Sequence, residues 1–434
     1  MRRQTIMTQS VKTWGRRTFS SLQIYNFRLY FIGQGISLWG TWLQTIGQTW
    51  LVLQMTHSGT AVGLVTAFQF LPILLFGPLG GVLVDRFSKR KLIVITQIWA
   101  ALLALTLAVL VSAHQLQVWM IYALAAGLGL ANSVASPGRQ TFMLEMVGEA
   151  HVTNAISLNS AMVNLARVIG PALAAVLISR IGYAPCFYLN AASYLAVLAS
   201  LGLVRTSELH PNPPSMRIRG QLREGLRYVW HTPVLRDTLL MMAFIGTLSY
   251  EFQVSLPLLA SHTFHGGVNS YALLTSAMSA GAVIGGLVTA TRKKVSPARM
   301  STIAAGLGIS ILTVAIAPTM VVAVALLVPL GALSIAYTAL TNTTLQLNSA
   351  PHMRGRVMAL WSVAFLGSTP IGGPLIGWIS EHSNPRWSLV VGGLAAVLAG
   401  GLGLVAMHGK RFAAKRRDKV LHPAMEDSAR IVKG

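Results

Sequence analysis

Apolar runs of about 20 residues, the length an α-helix needs to cross hydrocarbon, alternate along this chain with short polar turns. Twelve such runs are centred near residues 40, 71, 102, 127, 166, 194, 248, 280, 307, 332, 368 and 397. Those near 307 and 332 almost merge. The longest polar interruption, from Arg205 to about Asp237, leaves six runs on either side. Its first part, residues 209–214, holds three prolines, which lack an amide donor and fix φ, so helix is excluded there. Its second part, residues 221–230, spaces apolar and basic side chains at helical period and is expected to lie on the membrane surface as an amphipathic helix. The pattern predicts an all-α membrane protein of twelve transmembrane helices in two six-helix bundles. The expected divisions are a tail at 1–25, bundles at 26–204 and 236–408, a linker at 205–235 and a second tail at 409–434.

Composition agrees, since only 10% of residues are charged where soluble domains carry about 25%. A net charge of +23 invites a nucleic-acid reading, but its distribution excludes one. With alternate loops assigned to opposite sides, one side holds Arg86, Lys89, Arg90, Lys91, Arg139, the cluster from Arg205 to Arg236, Arg292, Lys293, Lys294, Arg354, Arg356 and both basic tails. The other side holds Arg180 and Arg386. Positive-inside orientation then puts both termini in the cytoplasm, with the cations meeting anionic lipid headgroups. The single cysteine, Cys186, allows no intrachain disulfide, and no cleavable signal peptide is visible.

The run from Gly80 to Lys91 packs an acid and four cations between two apolar segments, so it must turn at a membrane face. It resembles the loop between the second and third helices of the major facilitator superfamily, Gly-x-Leu-x-Asp-Arg-x-Gly-Arg-Arg/Lys. Gly81, Leu83, Asp85, Arg86, Lys89 and Arg90 match that pattern, and Ser88 replaces the second glycine. The two halves also look like copies. Gly77, Gly81 and Leu83 are echoed by Gly281, Gly285 and Leu287, and Leu158, Ser160, Ile169 and Gly170 by Leu360, Ser362, Ile371 and Gly372, as a parallel repeat of that superfamily would require. The resemblance implies that Asp85 is held by Arg139 and faces the region of Arg356, as a lock on one state of the transport cycle.

Enzyme chemistry has no evident site. Nearly all eleven acids lie in loops or tails, and no metal-binding His pair or phosphate-cradling glycine loop occurs. No cofactor is therefore expected, and transport would run on a gradient. In the first span Gln34, Ser37, Thr41, Gln44 and Gln48 are spaced three, four, three and four, which puts them on one helical face. A stripe like that is unfavourable against lipid. It either bonds neighbouring helices or lines a cavity; Leu38 and Leu43 are expected off it. Trp42 could stack on a ligand there. Asn132, Tyr250, Gln253 and Asn342 are further candidates for substrate contact. Gly170-Pro171 reads as a packing kink, a hinge, or both.

Arg167 falls near the middle of its predicted span, where an unpaired cation is strongly disfavoured, so it needs a partner or an anionic substrate. Glu251 is the one carboxyl deep in a predicted span. Burial alters the balance between charged and neutral carboxyl, which suits a proton carrier; a fixed ion pair is the alternative. The two residues are expected to communicate, directly or through water. Residues 136–140, 164–171, 224–228 and 252–257 narrow the resemblance to the branch that contains enterobactin exporters and macrolide-efflux pumps. That branch implies proton-driven export of siderophores or drug-like molecules by a monomer. Import or uniport by the same fold, and a non-transporting receptor, are the competing readings.

Overall fold

The computed structural model describes residues 19–210, 221–290 and 297–405, without the side chains of Pro78, Val82, Asp85, Gln221, Leu222, Ala290 and Pro297. Residues 1–18 of the first expected tail, the whole of the second, the prolines at 211–214, the cations Arg292, Lys293 and Lys294, and the Asp85 side chain lie outside it. Ser20–Gln23 of the first tail form a short turn, with Ser21 bonded to Asn154. The described chain forms helices and no strand. In order they are α1 (Tyr25–Thr56), α2 (Gly59–Arg86), α3 (Lys89–Ser112), α4 (Val118–Ile181), α5 (Tyr183–Leu203), α6 (Gln221–His231), α7 (Pro233–Ser249) and α8 (Phe252–Leu258). They continue as α9 (Val268–Ala290), α10 (Pro297–Ala315), α11 (Met320–Asn348), α12 (Arg354–Leu366), α13 (Thr369–His382) and α14 (Pro385–Val405).

Ten of the described stretches are long and apolar enough to cross a membrane. One of these, α4, is two crossings that meet at Gly148, whose φ of +66° is a backbone state open to glycine. Helix α1 is 32 residues long but falls outside those ten because its polar stripe lowers the mean hydropathy. The described residues thus hold twelve crossings. The nearly merged runs near 307 and 332 are parted at residues 316–319, where the Thr319 hydroxyl caps the N-terminus of α11. The seventh crossing is broken between α7 and α8 at Tyr250 and Glu251, and the eleventh between α12 and α13 at Gly367 and Ser368.

Hydrocarbon provides little drive for helix association, so close approach of small residues does much of the packing. Gly33 and Gly40 lie against Ser200 and Ser193 of α5, and Gly47 against Phe187, as their seven-residue spacing predicts. The halves repeat one another in space. Gly80 of α2 abuts the Ser133 backbone of α4, while Gly281 and Gly285 of α9 abut Val328 and Ala332 of α11. Gly170 lies on Trp42 of the first crossing, and its echo Gly372 lies on Thr247 of the seventh.

The face at which α1 begins and α2 ends carries most of the cations and is termed the basic face. Lys89 pairs with Glu145 at 3.0 Å, and Arg90 donates to the carbonyls of Leu201 at 2.7 Å and Gly202 at 3.2 Å, capping the C-terminal end of α5. Helix α6 is amphipathic and also packs on protein. Its Glu224 pairs with Arg356 at 2.7 Å, Ala350 N–H donates to the Tyr228 hydroxyl at 3.1 Å, and Val229 is buried with Leu235, Leu345 and Val357. Part of its apolar face is thus spent on protein; Leu226 and Trp230 remain exposed. Arg356, expected near Asp85, is occupied by α6.

Candidate functional site

Two adjacent chambers share Thr45 and Gln253 in their walls, the larger within the first half and the smaller between the halves. The larger, about 930 Å³ with the open space at its mouth, is walled by the first crossing from Gln34 to Thr49 and by α2, α3, α4 and α5. Gln34, Ser37, Thr41, Gln44 and Gln48 all line it, as do Asn132 and Arg139. Both readings of the stripe hold together. Asn190 donates to Gln44 Oε1 at 2.5 Å and Gln44 donates to Gln48 at 3.3 Å, while Gln34 Oε1 is buried with no hydrogen-bond partner among the described residues. Leu38 lines the chamber as well, contrary to expectation, because it stands four residues after Gln34 and three before Thr41 and so shares their face. Leu43 is buried, as expected.

Gln69, Thr96, Gln97, Asn190 and Tyr194 complete the polar wall and were missed in the sequence. Their signal was weak: each helix carries only one or two such polar residues, too few to mark a face. Gln97 Oε1, like Gln34 Oε1, lacks a partner among the described residues.

The smaller chamber, about 580 Å³, is lined by Trp42, Arg167, Phe252, Leu256, Tyr271 and Met278, with hydroxyl groups at its edge. Tyr250 and Asn342 stand elsewhere. The Tyr250 hydroxyl donates to Ser334 O at 2.7 Å and meets Thr338 at 3.0 Å, so it ties the break after α7 to α11. Asn342 accepts from Gln346 at 2.6 Å on its own helix. Gly170 and Pro171 are buried, and the backbone stays helical through them; the break in that long helix is at Gly148.

At the face opposite the basic one the halves close. A methyl group at Gly63 would overlap Gly373, and one at Gly377 would overlap Gly59, so α2 and α13 touch backbone to backbone. Glu381 accepts from the Ser58 hydroxyl at 2.6 Å and from Thr60 N–H at 3.0 Å, placing a negative charge at the N-terminus of α2, where it is favourable. Farther toward the basic face Leu74 reaches Gly367, whereas a methyl group at Gly77 would meet no neighbour among the described residues.

Glu251 sits directly behind this seam. It is 4% exposed, shares a hydrogen bond with Thr369 of α13, and lies against Gly372 and Gly373; its Oε1 has no partner. Among the described residues no ion pair joins Arg167 to Glu251; one lines a chamber and the other backs the seam.

A sequence model of the transmembrane secretion effector family matches residues 16–427. The chain belongs to that family, a branch of the major facilitator superfamily. Among its relatives are the multidrug efflux pump Tap of Mycolicibacterium fortuitum, 25% identical with 85% of this chain and 91% of that protein covered, and the enterobactin exporter EntS of Salmonella typhimurium, 26% identical with 88% and 92% covered. Its fold is that of a bacterial homologue of the human lysosomal transporter Spinster, with a TM-score of 0.71, 15% identity, and 88% of this chain and 96% of that one covered. This secretion-effector family member is a multi-pass membrane transporter of a small molecule, not an enzyme.

Proposed function

We propose that the protein is a proton-antiport exporter of an amphiphilic small molecule, working as a monomer by alternating access. One observation carries the reading: a chamber walled by polar side chains runs toward the basic face while glycines close the opposite face. With the basic face in the cytoplasm, as the distribution of cations favours, this is the state that loads substrate from the cytoplasm. Relatives named for efflux and siderophore export support the direction.

Coupling falls to Glu251. A carboxylate in that position has no cation among the described residues to balance it, and a charge held so deep is unfavourable. A proton on Glu251 lets α7, α8 and α13 stay packed; its loss to the cytoplasm and regain from outside would accompany movement of the seam. Asp85 and Arg139 at the basic face would hold the opposite state, and Arg86 beside them the turn.

The test uses inverted vesicles with an acid interior, given a panel of drug-like and siderophore compounds. An exported compound is expected to dissipate the proton gradient in vesicles that contain the protein and not in empty ones. Uptake that leaves the gradient untouched would refute antiport, and no response to any compound would refute export of this class.

A further inference from the structure

The walls of the two chambers carry two arginines, Arg139 and Arg167, and no acid. Acids among the described residues are accounted for elsewhere. Glu145, Glu208, Glu224 and Asp237 pair with cations near the basic face, Glu149 is exposed at the kink, and Glu381 and Glu251 belong to the seam. Arg167 makes no ion pair or hydrogen bond among the described residues. Arginine stays charged in proteins, and its planar fork matches a carboxylate or similar oxyanion in a bidentate manner. Around it stand an indole, a phenyl and a phenol ring, from Trp42, Phe252 and Tyr271.

We propose that Arg167 is the counter-ion for an acidic group of the substrate, and that this transporter takes amphiphilic organic anions with an aromatic or otherwise apolar body. The acidic group sits on the guanidinium, the body lies against Trp42 and Tyr271, and remaining polar groups reach the amides of Gln34 and Gln97, whose Oε1 atoms are without partners among the described residues. An organic cation would meet two like charges and no acid. This rests on the transporter reading above, but it concerns which ligand the cavity holds, whatever drives the cycle.

The test is binding to the purified full chain in detergent with no proton gradient. The probes share one naphthalene skeleton bearing a carboxylate, a methyl ester or a primary ammonium group, and tryptophan quenching is the readout. The wild type is expected to bind the carboxylate at least about tenfold more tightly than the other two, since one well-formed charged hydrogen bond lost is worth about that much. Arg167→Gln is expected to abolish the preference, whereas Arg180→Gln, at an exposed position beyond the cavity, keeps it. Should Arg167→Gln fail to fold, Thr45→Cys in a Cys186→Ala background serves instead: the carboxylate, but not the ammonium probe, is expected to protect it from a thiol reagent. Equal or absent binding of all three probes by the wild type, an undiminished preference in Arg167→Gln, or equal protection of the cysteine would overturn the proposal. Anion preference without gradient-driven flux would leave it standing and count against antiport alone.

Discussion

The two ends of the molecule are built on opposite principles. At the far face α2 and α13 meet backbone to backbone through Gly59, Gly63, Gly373 and Gly377. Toward the basic face the larger chamber, lined almost wholly by the first half, is walled by amides, hydroxyls and Arg139. A glycine seam closes tightly, yet nothing interlocks when it parts, since the chief polar link noted there is Glu381 with Ser58 and Thr60. A wall of amides does the reverse: it can pair with a ligand or with itself, so it loses little by being open. The difference teaches that the far end is suited to separate as a surface, while α4 and α9 keep the halves packed beside the smaller chamber.

The largest expected effect comes from blocking the seam. Gly63→Val would drive a side chain into the Gly373 backbone, and overpacking of this kind costs roughly 1–3 kcal/mol. Flux is expected to fall more than about tenfold, 1.4 kcal/mol being one decade. A cysteine at Thr49, within the larger chamber, should gain reactivity from the far side. Normal flux in that variant would show that the seam does not gate.

Next comes the residue behind the seam. Glu251→Gln is expected to lose pH-driven accumulation in proteoliposomes while keeping substrate exchange. Full accumulation by a stable variant would leave Glu251 a packing residue.

The cleft gives a comparison within one helix. Cysteines at Gln34, Leu38, Thr41 and Gln44 should react with a membrane-impermeant thiol reagent and be protected by substrate, and one at the buried Leu43 should not. Equal labelling at Leu43 would mean that α1 is rotated from the position described.

The smallest effect expected is structural. Asn190→Ala removes the donor to Gln44 Oε1, and a buried acceptor left unpaired costs about 1–3 kcal/mol. A lower melting temperature with near-normal transport is expected. Loss of transport at unchanged stability would instead make Asn190 a substrate contact.

Much of the fold was legible beforehand because the solvent acts residue by residue. Hydrocarbon demands apolar side chains and paired backbone groups along every crossing, so span number, the break at the linker and the polar stripe of α1 show in the pattern of single helices. Gly-Pro at 170–171 is a different case. Its two residue types permit a bend, the φ/ψ angles there are helical with Gly170 packed on Trp42, and the non-helical Gly148 parts the fourth crossing from the fifth. Residue type announces what the backbone can do; the neighbour decides what it does.

By itself, then, the sequence determined the twelve crossings, their division into halves, the charge of each face and the stripe that borders the cavity. Each of these follows from local preference and from helical period. Only the tertiary structure decided that Gln69, Gln97 and Asn190 join that stripe, that Tyr250 and Asn342 do not, and that Arg167 faces a chamber while Glu251 backs a seam. Those assignments depend on how helices far apart in the chain are rotated against one another. That rotation is set by side-chain and glycine packing between them, which no one helix carries in its own pattern.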